Sequence, residues 1–312
     1  MEKLKGDIAT VVKHTGSHYL VSTLPGWNLV SCVVRGRMRI NDLHTTNPIA
    51  VGDHVDYELQ EDGTGIITQI YPRFNYIIRK STNLSRQAHI IAANIDVAFL
   101  IVTLDFPQTK WAFIDRFLVT CEAYKVPVTI VLNKTDLYTS DLKDMAEHFK
   151  TVYSGAGYSI IEVSGKTGCN IEILREKCNG KLSLFSGVSG VGKSSLINSL
   201  DDTLHLKTGK ISDYHLQGKH TTTFYEIHPL KSGGFVIDTP GIKGFGLIEM
   251  GTEELSHYFP EMFRIIDKCK FAPCTHTHEP GCAIKKAVEQ GELSPDRYFS
   301  YLGMLEEESK YR

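Results

Sequence analysis

Residues 182–200 read Leu-Ser-Leu-Phe-Ser-Gly-Val-Ser-Gly-Val-Gly-Lys-Ser-Ser-Leu-Ile-Asn-Ser-Leu. An apolar strand, Leu182–Phe185, runs into Gly187-Val188-Ser189-Gly190-Val191-Gly192-Lys193-Ser194, and Lys193–Leu200 has the apolar spacing of a helix. The pattern Gly-x4-Gly-Lys-Ser between a strand and a helix is a phosphate-binding loop. Its glycines let backbone N–H groups face phosphate oxygens, and Lys193 reaches the outer phosphates. Ser194 offers a hydroxyl to Mg²⁺, with Ser195 beside it at the helix start.

The segments around this loop alternate strand and helix. Upstream, the sequence predicts strands Ile95–Leu104, Val126–Leu132 and Ser159–Val163, with helices Trp111–Tyr124, Leu142–Phe149 and Ile171–Cys178 between and after them. Downstream, Phe224–His228 and Phe235–Ile237 are two more strands. Such alternation indicates an α/β unit with a doubly wound, mostly parallel sheet and its ligands at the carboxyl ends of the strands. Three further motifs fall at such ends. Asn133-Lys134-Thr135-Asp136 follows Val126–Leu132 and fits Asn-Lys-x-Asp, in which Asp136 accepts from the N1–H and exocyclic amino group of guanine. Asn133 would brace that pocket, and the Lys134 stem would pack on the base. Ser164-Gly165-Lys166 follows the next strand, where a backbone loop faces the guanine oxygen. Asp238-Thr239-Pro240-Gly241 fits Asp-x-x-Gly: Asp238 belongs to the Mg²⁺ shell, and the Gly241 N–H senses the γ-phosphate.

These are the parts of a GTPase in rotated order, since the guanine motif precedes the phosphate loop. Between that loop and Asp238 lies Gly218-Lys219-His220-Thr221-Thr222-Thr223. A threonine just ahead of a strand is where a first switch segment ligates Mg²⁺; Thr222 is the choice, with Thr221 and Thr223 as alternatives. Ile242 stands where many GTPases place a water-orienting glutamine, and it cannot polarise water. His220 is the candidate to accept from the attacking water, the alternative being a surface histidine. The rotation also predicts that both flanking units tie directly to the sheet beside the Asp238 strand, so that nucleotide state changes their placement.

Residues 1–72 read as a small β-unit: Ile8–Val12, Tyr19–Ser22, Ser31–Val34, His54–Leu59 and Gly65–Ile70 are separated by breakers such as Pro25-Gly26 and Glu61-Asp62-Gly63. Five short strands suit an OB-type barrel. Arg35, Arg37 and Arg39 alternate, either as a basic face or as a solvated edge strand. Residues 73–248 form the nucleotide unit, and 249–312 a helical unit around Cys269-x4-Cys274-x-His276-x5-Cys282. Three thiolates and one imidazole make a closed Zn²⁺ shell, so the site is structural; His278 competes with His276 for the fourth position. The seven cysteines are an odd count with three beside histidines, which favours a metal site in a reducing cytoplasm over a disulfide framework. The formal net charge of −2 argues against nucleic-acid binding by bulk charge and requires local patches for any RNA contact. The first residues lack the apolar core of a signal peptide. The most apolar run, Ile95–Leu104, is half a membrane span and carries Asp96.

Taken together, the barrel, the rotated motifs, Gly-Lys-His-Thr-Thr-Thr, Asp-Thr-Pro-Gly and the Cys…Cys-x-His…Glu-Pro-Gly-Cys finger resemble the RsgA (YjeQ/YloQ) family of circularly permuted GTPases, over nearly the whole chain. That resemblance implies Zn²⁺ on Cys269, Cys274, His276 and Cys282, an OB-fold N-terminus and a catalytic role for His220. It implies binding to the 30S subunit and its 16S rRNA near the decoding region. It further implies a late maturation role and GTP hydrolysis stimulated by that subunit. A cytoplasmic monomer is expected, since nothing in the sequence suggests an obligate dimer. Two departures stand out: no basic extension precedes the barrel as in some members, and Lys219 replaces a common arginine. The alternatives are a permuted GTPase acting on the large subunit and a barrel-and-zinc RNA-binding module with little catalysis.

Overall fold

In a computed structural model of the chain, the described residues are 8–15, 18–34, 49–80, 88–206, 225–239 and 254–310. Five strands close a barrel in the order β1-β2-β3-β5-β4: β1 (Ala9–Thr15), β2 (His18–Ser22), β3 (Val30–Val34), β4 (His54–Leu59) and β5 (Gly65–Ile70). Alternate residues fill it, with Ala9, Val11, Tyr19, Val21, Cys32, Val55 and Ile67 forming one cluster, as period-two side chains require. A Cβ at Gly65 would stand 2.4 Å from the Cys32 sulfur and 2.9 Å from the Tyr57 ring, so only glycine lets β5 pass. A bulge between Val11 and Lys13 breaks the alternation of β1. Val11 stays in the barrel, whereas Val12 joins the core beneath the central sheet. Arg35, Arg37 and Arg39 lie outside the described residues.

Between barrel and sheet the chain forms a hairpin the sequence reading passed over, β6 (Tyr76–Lys80) with β7 (Ala88–Ala93). Polar clips fix its root. Asp53, fully buried, accepts from Arg73 Nε and Nη2 at 2.6 Å each and from the Ala50 N–H at 2.8 Å. Asn75 accepts from the Ile95 N–H at 2.7 Å and donates to the Ile95 carbonyl at 2.7 Å.

The central sheet has the order β10-β9-β8-β11-β13-β12, with β8 (Val97–Val102), β9 (Val128–Leu132), β10 (Ser159–Glu162), β11 (Leu182–Ser186), β12 (Ile227–Pro229) and β13 (Phe235–Asp238). Every pairing is parallel except β12 with β13. β8 is buried along its whole length, as a strand covered on both faces must be. Its alternate residues feed two cores. Ala98, Leu100 and Val102 meet Ile114, Phe117 and Leu118 of α1 (Trp111–Ala123) and Phe149 and Tyr153 of α2 (Ser140–Ala156). Val97, Phe99 and Ile101 meet Leu174 of α3 (Ile171–Cys178) and Leu196 and Ile197 of α4 (Lys193–Leu200).

Three differences stand out, two of them with a direct physical cause. α2 extends past the expected Leu142–Phe149 because Val152, Tyr153 and Ala156 continue its buried stripe; Thr139 caps its start and Gly157, at φ 112°, ends it. The expected strand Ile95–Leu104 shortens to Val97–Val102, its first N–H being taken by Asn75. Finally, β8 does not lie beside the Asp238 strand: β11 stands between β8 and β13. The barrel reaches the β12–β13 edge by packing instead, through Lys13 bonded to Glu226 at 2.7 Å and Trp27 stacked on Phe235 at 5.7 Å.

The C-terminal part is helical: a short turn Leu255–Tyr258, then α5 (Pro260–Phe263), α6 (Ala283–Glu289) and α7 (Pro295–Lys310). Its own core of Leu255, Phe259, Met262, Ile284 and Tyr301 takes in Val119 from α1.

Candidate active site and metal centre

Three segments far apart in sequence meet where β8, β9 and β11 end. The phosphate loop, Gly187, Val188, Ser189, Gly190, Val191 and Gly192, joins β11 to α4, which Lys193, Ser194 and Ser195 open. The guanine motif bonds directly to it. Asn133, fed by β9 and buried, donates from Nδ2 to the Val191 carbonyl at 2.8 Å and accepts from the Gly165 N–H at 3.2 Å. One amide therefore locks the phosphate loop to the Ser164–Lys166 loop. Lys134, in the left-handed region at φ 67°, donates from Nζ to the Gly190 carbonyl at 2.8 Å and also to the Phe106 carbonyl. Burial lowers its pKa, and Asp136 opposes that shift.

Asp136 occupies the short turn Thr135–Leu137. Its Oδ1 accepts from Ser164 Oγ at 2.6 Å, and Lys166 Nζ stands 4.0 Å from Oδ2. Ser164 Oγ in turn accepts from the Thr167 and Lys166 N–H groups at 3.1 and 3.3 Å, which shapes the loop around it. Thr135 Oγ1 donates to the Val163 carbonyl at 3.1 Å and holds the turn against β10. The carboxylate is thus aimed by its neighbours before any base arrives.

On the phosphate side, Lys193 is buried and folds back on its own loop, donating from Nζ to the Gly187 carbonyl at 3.1 Å. Burial depresses its pKa, with Asp238 acting in the other direction. Asp238 ends β13, locked to β11 by Thr239 Oγ1 donating to the Phe185 carbonyl at 2.7 Å. Its Oδ1 is buried without a protein partner. Burial raises its carboxyl pKa, against the pull of Lys193 and His228. An orphaned buried carboxylate oxygen facing a lysine at a phosphate loop fits a Mg²⁺-nucleotide, whose cation supplies the missing partner. His220, Thr222 and Gly241 lie outside the described residues.

Sequence reading missed the loop after β8. Thr103 Oγ1 donates to the Pro107 carbonyl at 2.5 Å, and the Thr103 N–H bonds Thr109 Oγ1 at 3.1 Å. The tightened loop brings the Phe106 carbonyl to Lys134 and Pro107 over Gly190, whose Cβ would meet the proline ring at 3.3 Å. The available signal was its place at the carboxyl end of a parallel strand.

In the C-terminal unit, the ligand atoms of Cys269, Cys274, His276 and Cys282 all lie within 4.8 Å of one another. His276 Nδ1 faces the sulfurs of Cys282 and Cys269 at 3.4 and 3.6 Å. Burial lowers the His276 pKa, and burial with two neighbouring thiols pushes Cys274 up to about 12. Three crowded thiols and a neutral imidazole fit a divalent cation, which reverses that thiol shift when it binds. His278 is exposed and bonds to Thr277 at 2.9 Å, outside the cluster. The surrounding shell escaped the sequence reading. The Glu279 carboxylate accepts from the Thr275 N–H and Oγ1 at 2.7 and 2.6 Å and from the Thr277 N–H at 3.0 Å. Tyr298 and Tyr301 of α7 donate to the His276 and Thr275 carbonyls, at 2.7 Å each.

Comparison with known proteins places this geometry. The family models for the RsgA N-terminal domain and the RsgA GTPase match residues 9–67 and 70–248. A small ribosomal subunit biogenesis GTPase RsgA from Bacteroides fragilis is 51% identical over 304 residues, covering 97% of this chain and 98% of the relative. Its counterpart from Flavobacterium psychrophilum is 49% identical, covering 97% and 94%. Among solved structures, YjeQ from Thermotoga maritima aligns with a TM-score of 0.78 at 35% identity, over 96% of this chain and 98% of that one. YloQ, a circularly permuted GTPase, aligns at 0.75 and 28% identity, over 100% and 99%. With these matches spanning the barrel, the rotated nucleotide site and the Cys3His unit together, the chain belongs to the RsgA family of circularly permuted GTPases.

Proposed function

We propose that the protein hydrolyses GTP to GDP and phosphate during late maturation of the 30S ribosomal subunit, with the subunit stimulating turnover and the bound nucleotide setting attachment and release. The observation that carries this reading is the direct bonding of the base-selecting motif to the phosphate loop, through Asn133 to Val191 and Lys134 to Gly190. One guanine nucleotide can then span Asp136 and Lys193. The relatives' names supply the small subunit.

Asp136 selects guanine by accepting two N–H groups that adenine does not offer. The 187–192 backbone and Lys193 take the phosphates, at the N-terminal end of α4 whose dipole favours negative charge. Ser194, Asp238 and Thr222 would hold Mg²⁺, which would supply neutralising charge to the phosphate oxygens. His220 accepts a proton from the attacking water, and Gly241 reads the γ-phosphate. The Zn²⁺ on Cys269, Cys274, His276 and Cys282 is structural, since four protein ligands leave no position for water. Units 1–72, 73–248 and 249–312 act as barrel, motor and zinc domain in a cytoplasmic monomer, the first and last meeting 16S rRNA. Among the described residues, no helix is long and apolar enough to cross a membrane.

The test is GTP against ATP hydrolysis, each with and without purified 30S and 50S subunits. GTP-selective turnover that rises with 30S alone is expected. Stimulation by 50S instead, or equal use of ATP, overturns the proposal.

A further inference from the structure

One fully buried charge has no part in the site described above. Arg297, on α7, is 0% exposed, and so is Asp115 of α1. Its Nη1 donates to Asp115 Oδ1 at 2.6 Å, its Nε to Glu261 Oε1 at 2.6 Å and its Nη2 to Glu261 Oε2 at 3.2 Å. The guanidinium also lies 4.6 Å from the Phe259 ring centre, with Tyr153 and Tyr158 at 5.6 and 5.8 Å. A charge so far from water persists only where partners fill its hydrogen-bonding fork, and removing one partner strands the rest.

What the fork joins gives it meaning. Asp115 Oδ1 also accepts from the Tyr153 hydroxyl of α2 at 2.8 Å. One arginine of the zinc-bearing unit therefore pins two helices of the nucleotide unit. One of the two follows the loop that holds Lys134, and the other follows the guanine motif itself. α1 starts at Trp111, just after the loop whose Phe106 carbonyl holds Lys134. α2 starts at Ser140, just after the turn that carries Asp136. None of these contacts involves α4 or the phosphate loop. At the rim, His148 of α2 meets Asp296 of α7 at 3.1 Å, and Arg116 of α1 pairs with Glu307 of α7. These pairs are more exposed, so solvent weakens them, and they serve as alignment around a buried centre.

Resting on the function proposed above, we infer that Arg297 is a positioning residue for the guanine half of the site, through which the seating of the zinc-bearing unit sets nucleotide affinity without touching the phosphates. Two rigid helices with discrete seats are the physical means by which a distant contact is felt. A binding partner that shifts α7 on α1 and α2 thus acts on GDP release, and nucleotide binding tightens the seat of α7 in return, because linkage is reciprocal.

Arg297→Met and Arg297→Lys test this. The first keeps the volume and removes the charge; the second keeps the charge and loses the fork to Glu261. Release of a fluorescent GDP analogue, KM and kcat for GTP, bound zinc and thermal unfolding are measured on full-length protein. For Arg297→Met, release about tenfold faster and KM about tenfold higher are expected, with kcat within about twofold and zinc retained; tenfold corresponds to about 1.4 kcal/mol. Arg297→Lys falls between. Wild-type release and KM in a folded variant, however far its melting temperature drops, overturn the inference, as does a fall in kcat at unchanged KM. If Arg297→Met does not fold, Arg297→Lys decides by the same criteria at a threefold threshold. Failure of the wild type to prefer GTP over ATP sinks the functional reading itself. Preference intact with variants releasing GDP normally sinks only this one.

Discussion

Gly192→Ala tests whether the two halves of the nucleotide site interlock as tightly as their contacts imply. Gly192 sits at φ 94°, and a Cβ there would stand 2.6 Å from Asn133 Nδ2. Holding alanine in the left-handed region costs about 1–2 kcal/mol. Clearing the contact forces Asn133 off the Val191 carbonyl, a loss of about 1 kcal/mol. The total is about 2–3 kcal/mol, and the same displacement weakens the hold of Asn133 on Gly165. Where the cost appears depends on how the empty loop responds. A loop that relaxes restores the native path only on binding, so GDP affinity falls by about 30- to 150-fold. A loop that stays in place leaves affinity near normal and destabilises the empty protein by the same amount. Titration of a fluorescent GDP analogue, paired with chemical unfolding without nucleotide, captures both. If the two losses together come to less than about 0.5 kcal/mol, the close approach of Gly192 to Asn133 is wrong, and the interlock argument goes with it.

Three further outcomes are expected. Fresh protein carries one Zn²⁺ per chain; Cys282→Ser lowers zinc affinity by more than about 100-fold and Glu279→Gln by about tenfold, read by competition with a metal indicator. His220→Ala leaves GTP affinity within about threefold while 30S-stimulated turnover drops by about 10²–10⁴, measured by phosphate release; unchanged turnover removes His220 from the mechanism. Asp238 must be ionised to hold Mg²⁺, and its raised pKa means acid removes that anion sooner than from an ordinary carboxylate. Mg²⁺-dependent GDP binding therefore weakens as pH falls toward a value above 3.8. Over the same window, protonation of Asp238 favours the empty fold, because its folded pKa exceeds the unfolded one. Asp238→Asn should lose the pH dependence of both, followed by nucleotide titration and thermal unfolding across pH.

What could be read in the sequence was whatever local pattern controls. An unbroken apolar run gave β8, because a strand covered on both faces has no polar side to display. Short β-branched or aromatic runs between turn residues gave all five barrel strands to within a few residues. The phosphate loop stood out because its glycine spacing answers to backbone geometry. The β6–β7 hairpin went unread although it is apolar. Its purpose is to join two cores, and no periodicity marks a connector. Asn75, Asn94 and Asp53 were equally silent: the two asparagines satisfy buried backbone groups of other segments, as Asn94 does in donating to the Gly52 carbonyl at 3.0 Å, and Asp53 meets the Arg73 side chain. Nothing local in the sequence marks Arg297 or Asp115 as buried, and only their meeting across the fold shows it. Phe106 took on a role through its carbonyl oxygen, an atom every residue has.

The contact of Lys13 with Glu226 bears on solubility as well as on placement. β12 is the last strand of the central sheet, and a terminal strand with free amide and carbonyl groups invites a second molecule to pair with it. Here the β1 backbone bridges it at Lys13 and Glu226, so the barrel shields one flank of the sheet. At the other flank, the Asn170 side chain occupies the Glu162 carbonyl of β10 at 2.8 Å. A fragment cut to its nucleotide-binding part alone would bare the β12 flank and invite self-association, so handling problems with such a fragment would reflect a lost chaperoning surface rather than a misfolded pocket.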